Sequence, residues 1–190
     1  HNAMNAVGAL AALVSLGLPA AQVAEAFGTV APADMRLVRS DIGGVAVFND
    51  AYNANPDSVL AAVRTFAEMT EGCTRRVVAL GDMLELGDEG PALHEMVGGQ
   101  LAQAFDGGPP DLCIACGQLS ARTAAGLRAA CAAANVQLSA DLAADAPRLA
   151  ALLQPGDALL VKGSRGSGME RLVAAISSAQ EAKKASPANR

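Results

Sequence analysis

One pattern, repeated four times, constrains this chain more than any other feature. An amphipathic stretch is followed by a short apolar run at Pro56–Thr70 then Arg76–Leu80, and at Pro91–Phe105 then Leu112–Ala115. It recurs at Leu119–Ala134 then Val136–Leu138, and at Ala143–Leu153 then Ala158–Val161, before a last helix from about Met169 to Ser178. Runs such as Val77-Val-Ala-Leu80 and Ala158-Leu-Leu-Val161 have no polar alternation, as expected of strands buried on both faces. Such strands alternating with helices imply an α/β fold: a Rossmann-like, open, mostly parallel sheet with helices on both faces. No apolar stretch approaches the roughly 18–20 uncharged residues of a membrane span.

Composition narrows the chemistry. Hydrophobic residues make up 52% and aromatics 3%, so the core is built from Ala, Val and Leu rather than rings. The net charge of −5 argues against a nucleic-acid-binding module, whose footprint is a basic patch. One Tyr, four Phe and no Trp leave few platforms for stacking bases. Three lysines are present, Lys162, Lys183 and Lys184, the last two in a polar tail. No Gly-Lys-Ser/Thr run occurs, so these residues contain no phosphate-binding P-loop.

The first residues follow another rule. Residues 3–16 read as a helix with Asn2 as N-cap and Gly17 as its stop, and Pro19 opens a second helix ending at Gly28. Thr29 to Asp34 reads as a linker, and Leu37–Asp41 and Val45–Asn49 as a hairpin turning at Gly43-Gly44. The expected organisation is therefore residues 1–33 as the helical end of one domain, 34–180 as a complete α/β domain, and 181–190 as a disordered tail. The apolar opening lacks a basic leader, which disfavours a signal peptide. Cys113 and Cys116 form a C-x-x-C, but in a strand such residues stand about 10 Å apart, beyond the roughly 7 Å reach of a disulfide. Buried reduced thiols and cytoplasmic residence are expected.

In open sheets the working surface is the row of loops at the carboxyl ends of the strands, here 49–58, 81–90, 116–120 and 162–168. In Asn49-Asp50-Ala-Tyr52-Asn53-Ala-Asn55-Pro-Asp-Ser58, Asp50 is placed to accept from ribose hydroxyls or to meet a magnesium-bound nucleotide. Asn53 and Asn55 are suited to a peptide-like ligand, although turn and N-cap roles explain the same residues. In Gly81-Asp82-Met-Leu-Glu85-Leu-Gly87, Asp82 and Glu85 are an acidic pair or caps of the helix from Pro91, and His94 is read as a surface or packing residue. Lys162-Gly163-Ser164-Arg165-Gly-Ser-Gly168 sets two cations in a glycine-rich turn opening a helix, an anion site or a flexible turn. Asn2 and Asn5, three apart at a helix start, can face one way; an Asn amide matches the adenine edge, and an N-cap needs no ligand.

Taken together and in order, these blocks, with Met169-Glu-Arg171, resemble the C-terminal part of the Mur ligases. Within that family the wording is similar to the branch that joins D-Ala-D-Ala to UDP-N-acetylmuramoyl-tripeptide in peptidoglycan synthesis. The resemblance implies that residues 1–33 close the family's central ATPase domain and that Asn2 and Asn5 contact adenine. Arg36 would contact the ATP phosphates and Asp50 the ribose. Tyr52, Asn53, Asn55, Gly117, Gln118, Lys162, Gly163, Ser164 and Arg165 would face the incoming dipeptide, with no metal ligand and no catalytic residue assigned in this segment. It further implies ATP as cosubstrate and Mg2+ bound mainly by upstream segments, a monomer, and inactivity of these residues alone. Two departures stand out: Met35 precedes Arg36 where the family has Gly, and Asn49-Asp50 replaces Asp-Asp. The alternatives are a stand-alone Rossmann-like module for a nucleotide or small acid, the corresponding domain of a sibling Mur or folylpolyglutamate ligase, and an interaction domain without ligand chemistry.

Overall fold

The computed structural model describes the backbone of residues 2–29 and 35–185, with side chains over 6–29 and 35–182. The chain divides into two compact units, His1–Ala33 and Asp34–Arg190. The first holds α1 (Asn2–Ser15) and α2 (Ala20–Thr29). It leaves Val7, Val14, Leu16 and Leu18 exposed, so most of its apolar side chains are not covered within the unit.

The second unit carries β1 (Val38–Ile42), β2 (Val45–Asp50), α3 (Pro56–Met69), β3 (Arg75–Gly81), α4 (Gly90–Leu101) and β4 (Leu112–Cys116). It continues through α5 (Ser120–Ala130), β5 (Val136–Ser139), α6 (Leu142–Ala150), β6 (Asp157–Lys162) and α7 (Glu170–Ala185). The sheet order is β1-β2-β6-β3-β4-β5, with β1 antiparallel to β2 and every other pair parallel. The chain therefore builds outward from β3 to β5 and returns to insert β6 between β2 and β3.

Strand geometry sends alternate residues to opposite layers. Val78, Leu80, Cys113, Ala115, Ala158 and Leu160 face α3, α4 and α5. Val77, Ala79, Ile114, Cys116, Leu159 and Val161 face α6 and α7. Cys113 and Cys116 thus point into different layers, and both thiols are free and buried, as the strand reading anticipated. Three of the four Phe rings join the first layer edge to face, Phe48 on Phe66 at 5.3 Å and Phe66 on Phe105 at 6.1 Å.

Several helix ends differ from expectation: α4 stops at Leu101 and α6 at Ala150, before the expected Phe105 and Leu153. α5 stops at Ala130, four residues early. The Ala132-Ala133-Ala134 run favours helix, but the chain has only residues 131–135 in which to turn back to β5, and sheet pairing overrides propensity. α7 continues to Ala185, past the start of the tail expected from residue 181. Ala, Gln, Glu and Lys are strong helix formers, and the polarity read as fraying belongs to a helix.

Candidate functional site

Inserting β6 between β2 and β3 brings together loops that lie far apart in the chain. Asp50, the last residue of β2, stands in register with Lys162, the last of β6, and Leu80 of β3 flanks Lys162 on the other side. Lys162 Nζ donates to Asp50 Oδ2 at 2.7 Å and to the Asn53 carbonyl at 3.0 Å. The lysine side chain is 4% exposed and the aspartate 12%. Asp50 Oδ1 accepts from the Leu37 N–H at 3.1 Å. Residues read as belonging to two sites, one for ribose and one for dipeptide, are thus one buried ion pair. Removing one partner from such a pair leaves a desolvated charge behind.

Ser164 also faces inward. Its Oγ accepts from the Leu84 N–H at 2.9 Å and donates to the Ala54 carbonyl at 3.3 Å, while its N–H donates to the Asp82 carbonyl. Gly163 is buried where a Cβ would meet Ser167 Oγ and Met169, so glycine is a packing requirement there. Of Lys162-Gly-Ser-Arg165, only Arg165 is exposed.

Arg165 meets Arg36 on a shared ring. The Arg36 guanidinium lies 4.6 Å from the Tyr52 ring centre and that of Arg165 lies 5.7 Å from it. Neither arginine pairs with a carboxylate among the described residues. Arg36 is presented by an unusual backbone, because Met35 and Leu37 on either side both have positive φ, 56° and 54°. Side chains adopt that region at a cost of roughly 1–2 kcal/mol each. Here it is held by the Leu37–Asp50 bond and by the Tyr52 N–H donating to the Met35 carbonyl at 3.2 Å. The position of Met35 is one that glycine would occupy without strain.

A cavity of about 270 Å³ opens beside this cluster, lined among others by Asp82, Gly117, Gln118, Asp141, Ser167 and Arg171. Gly117 and Gln118 therefore stand apart from the Arg36–Tyr52–Arg165 cluster but on the same edge. Gly117 has φ 118°, and a Cβ there would strike the Asp82 carboxylate. Asp82 caps a helix, as one reading allowed, but the helix is α5 rather than α4: its Oδ1 accepts from both the N–H and Oγ of Ser120, each at 2.7 Å. Cys116 also lines the cavity. Burial, reinforced by the Asp145 and Asp82 charges, pushes its thiol up to about 12, so it is a neutral wall rather than a nucleophile.

Other expectations resolve toward structure. Asn55 is the N-cap of α3, its Oδ1 accepting from the Ser58 N–H at 2.8 Å in a reciprocal capping box. The Asn53 side chain accepts from the Ala54 N–H, and its carbonyl serves Lys162. His94 packs fully buried, with Nε2 accepting from the Met83 N–H at 2.9 Å and Nδ1 at 2.7 Å from the Gly90 carbonyl, a pairing that the neutral Nδ1–H tautomer satisfies. It is not a surface residue, and it props the loop that carries Asp82. The side chains of Asn2 and Asn5 lie outside the described residues. Among the described residues no three His, Cys, Asp or Glu side chains gather as a metal site. Asp141 was not singled out from sequence, though it was findable as the N-cap of α6, and Arg171 entered only within the Met169-Glu-Arg171 block, with no role assigned.

Comparison with known proteins returns one consistent answer. A family model described as Mur ligase, glutamate ligase domain, matches residues 35–165. The UDP-N-acetylmuramoyl-tripeptide–D-alanyl-D-alanine ligase of Bacillus subtilis is 32% identical over 182 residues, 91% of this chain and 37% of the relative. A crystal structure of MurF from Acinetobacter baumannii superimposes with a TM-score of 0.76 at 28% identity, covering 94% of this chain and 38% of that one. A MurF ligase from Thermotoga maritima, crystallised with ADP, shares the fold with a TM-score of 0.64 at 21% identity, over 92% and 37% of the two chains. The chain thus spans little more than a third of the length of the proteins it matches.

Proposed function

This chain belongs to the Mur ligase family, and from that premise we propose that it is the closing and acceptor-holding part of the ATP-dependent ligase that joins D-Ala-D-Ala to UDP-N-acetylmuramoyl-tripeptide in peptidoglycan synthesis. The observation that carries this reading is the convergence of Arg36 and Arg165 on Tyr52 with no carboxylate paired to either among the described residues. Two guanidiniums held together at a sheet's carboxyl edge are stabilised by an anion between them, and a phosphoryl group or a carboxylate fits that demand. The exposed apolar residues of α1 and α2 support assigning residues 1–33 to the end of a preceding ATPase domain.

In the proposed reaction the tripeptide carboxylate attacks the γ-phosphorus of ATP, giving an acyl phosphate and ADP. The dipeptide amine then attacks the acyl carbon, loses its proton, and phosphate departs as the amide forms. This chain's residues do no bond chemistry. Arg36 meets the phosphates, Asn2 and Asn5 the adenine, and Asp50, whose oxygens keep lone pairs beyond those given to Lys162 and Leu37, the ribose. Arg165, with Gly117 and Gln118 at the adjoining cavity, holds the dipeptide. The contribution is orientation and charge stabilisation as the domain closes. No donor cluster of this chain fits magnesium among the described residues, and no step here is drawn through it.

The test is phosphate release by the full-length gene product that contains these residues. Release should require the UDP-tripeptide and D-Ala-D-Ala together. Ligation of a different amino acid would reassign it to a sibling ligase, and tight ATP or NAD binding by residues 1–190 alone would replace it with a stand-alone nucleotide module.

A further inference from the structure

The Lys162–Asp50 pair gives the lysine a role different from the one its motif implies. Its ammonium is buried, and the two acceptors it holds are Asp50 Oδ2 at the end of β2 and the Asn53 carbonyl in the loop that follows. The other oxygen of the same carboxylate holds the Leu37 N–H. Leu37 and Met35, both at positive φ, bracket Arg36. A continuous path of hydrogen bonds therefore runs from the end of β6 to the backbone that presents Arg36, and the lysine side chain is 4% exposed, with two of its three N–H donors engaged inside the protein.

We propose that Lys162 is a positioning residue for the nucleotide side of the site, acting through Asp50 and Leu37 on Arg36, and does not contact the dipeptide. This rests on the ligase reading above. Without the ammonium, the Asp50 carboxylate is free to swing from Leu37, and the strained turn relaxes toward negative φ with Arg36 displaced from Tyr52. Misplacement of a charge-stabilising group by about 1 Å costs up to about a hundredfold. Arg165, carried by the exposed part of the same motif, stays where it is.

Lys162→Met in the full-length enzyme is expected to raise KM for ATP about tenfold or more and leave KM for D-Ala-D-Ala within about twofold. Asp50→Asn should give the same split and a rise in KM for ATP at least as large, since it also weakens the ribose contact, and the double variant should be no worse than Asp50→Asn alone, because the lysine acts through that carboxylate. A raised dipeptide KM with an unchanged ATP KM overturns the proposal and returns Lys162 to the acceptor site. If Lys162→Met fails to fold, Asp50→Leu/Lys162→Met replaces the buried pair with apolar side chains, a change such sites tolerate, and the same KM split is expected. Hydrogen exchange at the Leu37 amide is a readout independent of ligase activity. Protection should fall in Lys162→Met, and unchanged protection overturns the path even if the enzyme proves to be a sibling ligase.

Discussion

The two ends of β6 carry two ion pairs that do opposite jobs. At its start Asp157 meets Arg75, its register partner on β3, with Nη2 to Oδ2 at 2.6 Å and Nε to Oδ1 at 2.9 Å. Arg75 also donates to the Leu152 carbonyl, and Asp157 accepts from the Gln154 N–H. Each of these bonds ties one part of the chain to another within the fold. At its end Lys162 meets Asp50 just as tightly, but that pair leads outward to Arg36 and sits beside Arg165, both exposed and unpaired with acids among the described residues. The lesson is that a buried ion pair is not in itself a mark of function. What distinguishes the working end is the charge it leaves unneutralised.

The largest effect that should separate the two ends is on activity. Arg36→Ala is expected to lower kcat/KM of the full-length enzyme by about a hundredfold or more, with stability changed by less than about 0.5 kcal/mol because the side chain is exposed. A comparable loss of melting temperature would erase the distinction. At the closed end Arg75→Met should do the reverse. Breaking a buried pair costs about 3–5 kcal/mol; Arg75 is 28% exposed, so the lower part of that range is expected in denaturant unfolding, with turnover per folded molecule unchanged.

The cysteines sharpen where the solvent-facing surface stops. Burial raises Cys113 and Cys116 from 9.0 to about 12 in the folded state. A raised folded value means that stability is fully present below the unfolded value near 9 and is lost as pH climbs from there toward about 12. The loss should reach about 1.4 kcal/mol per thiol at pH 10, measured as a falling denaturation midpoint. At pH 8 a thiol reagent should modify the exposed Cys73 and spare both strand cysteines. Rapid modification of Cys116 would place the working surface deeper than drawn here. The smallest effect belongs to the strained turn. Met35→Gly relieves a left-handed side chain but loosens the unfolded chain, for a net gain of about 0.5–1 kcal/mol by thermal melting.

Local features were well read from sequence. The apolar runs at Val77–Leu80 and Ala158–Val161 became central strands because burial on both faces leaves a signature within a few residues. The loops at the strand ends held the polar blocks as expected. Individual side chains were harder. Asn55 looked the same as ligand or as cap, since one amide serves both, and only the Ser58 geometry shows that it is a cap. Asp82 was read as half of an acidic pair or as a cap of the nearest helix, α4, yet it caps α5, 38 positions along the chain. His94 lies at the centre of the loop's support, with no sequence signal beyond its rarity.

The sequence by itself determined the alternation of strand and helix, the burial of the central strands on both faces, and which loops would hold the polar blocks. Those are set by periodicities of two and 3.6 residues and by capping, all written within one turn or one strand. Tertiary structure alone decided that β6 returns between β2 and β3, and with that the meeting of Asp50 and Lys162 across 112 positions. The order of strands depends on how crossovers pack helices on the two faces, which no short window of residues encodes. The lysine that seemed placed for a substrate is, for that reason, an internal brace, and the arginine three residues later is the charge that remains available.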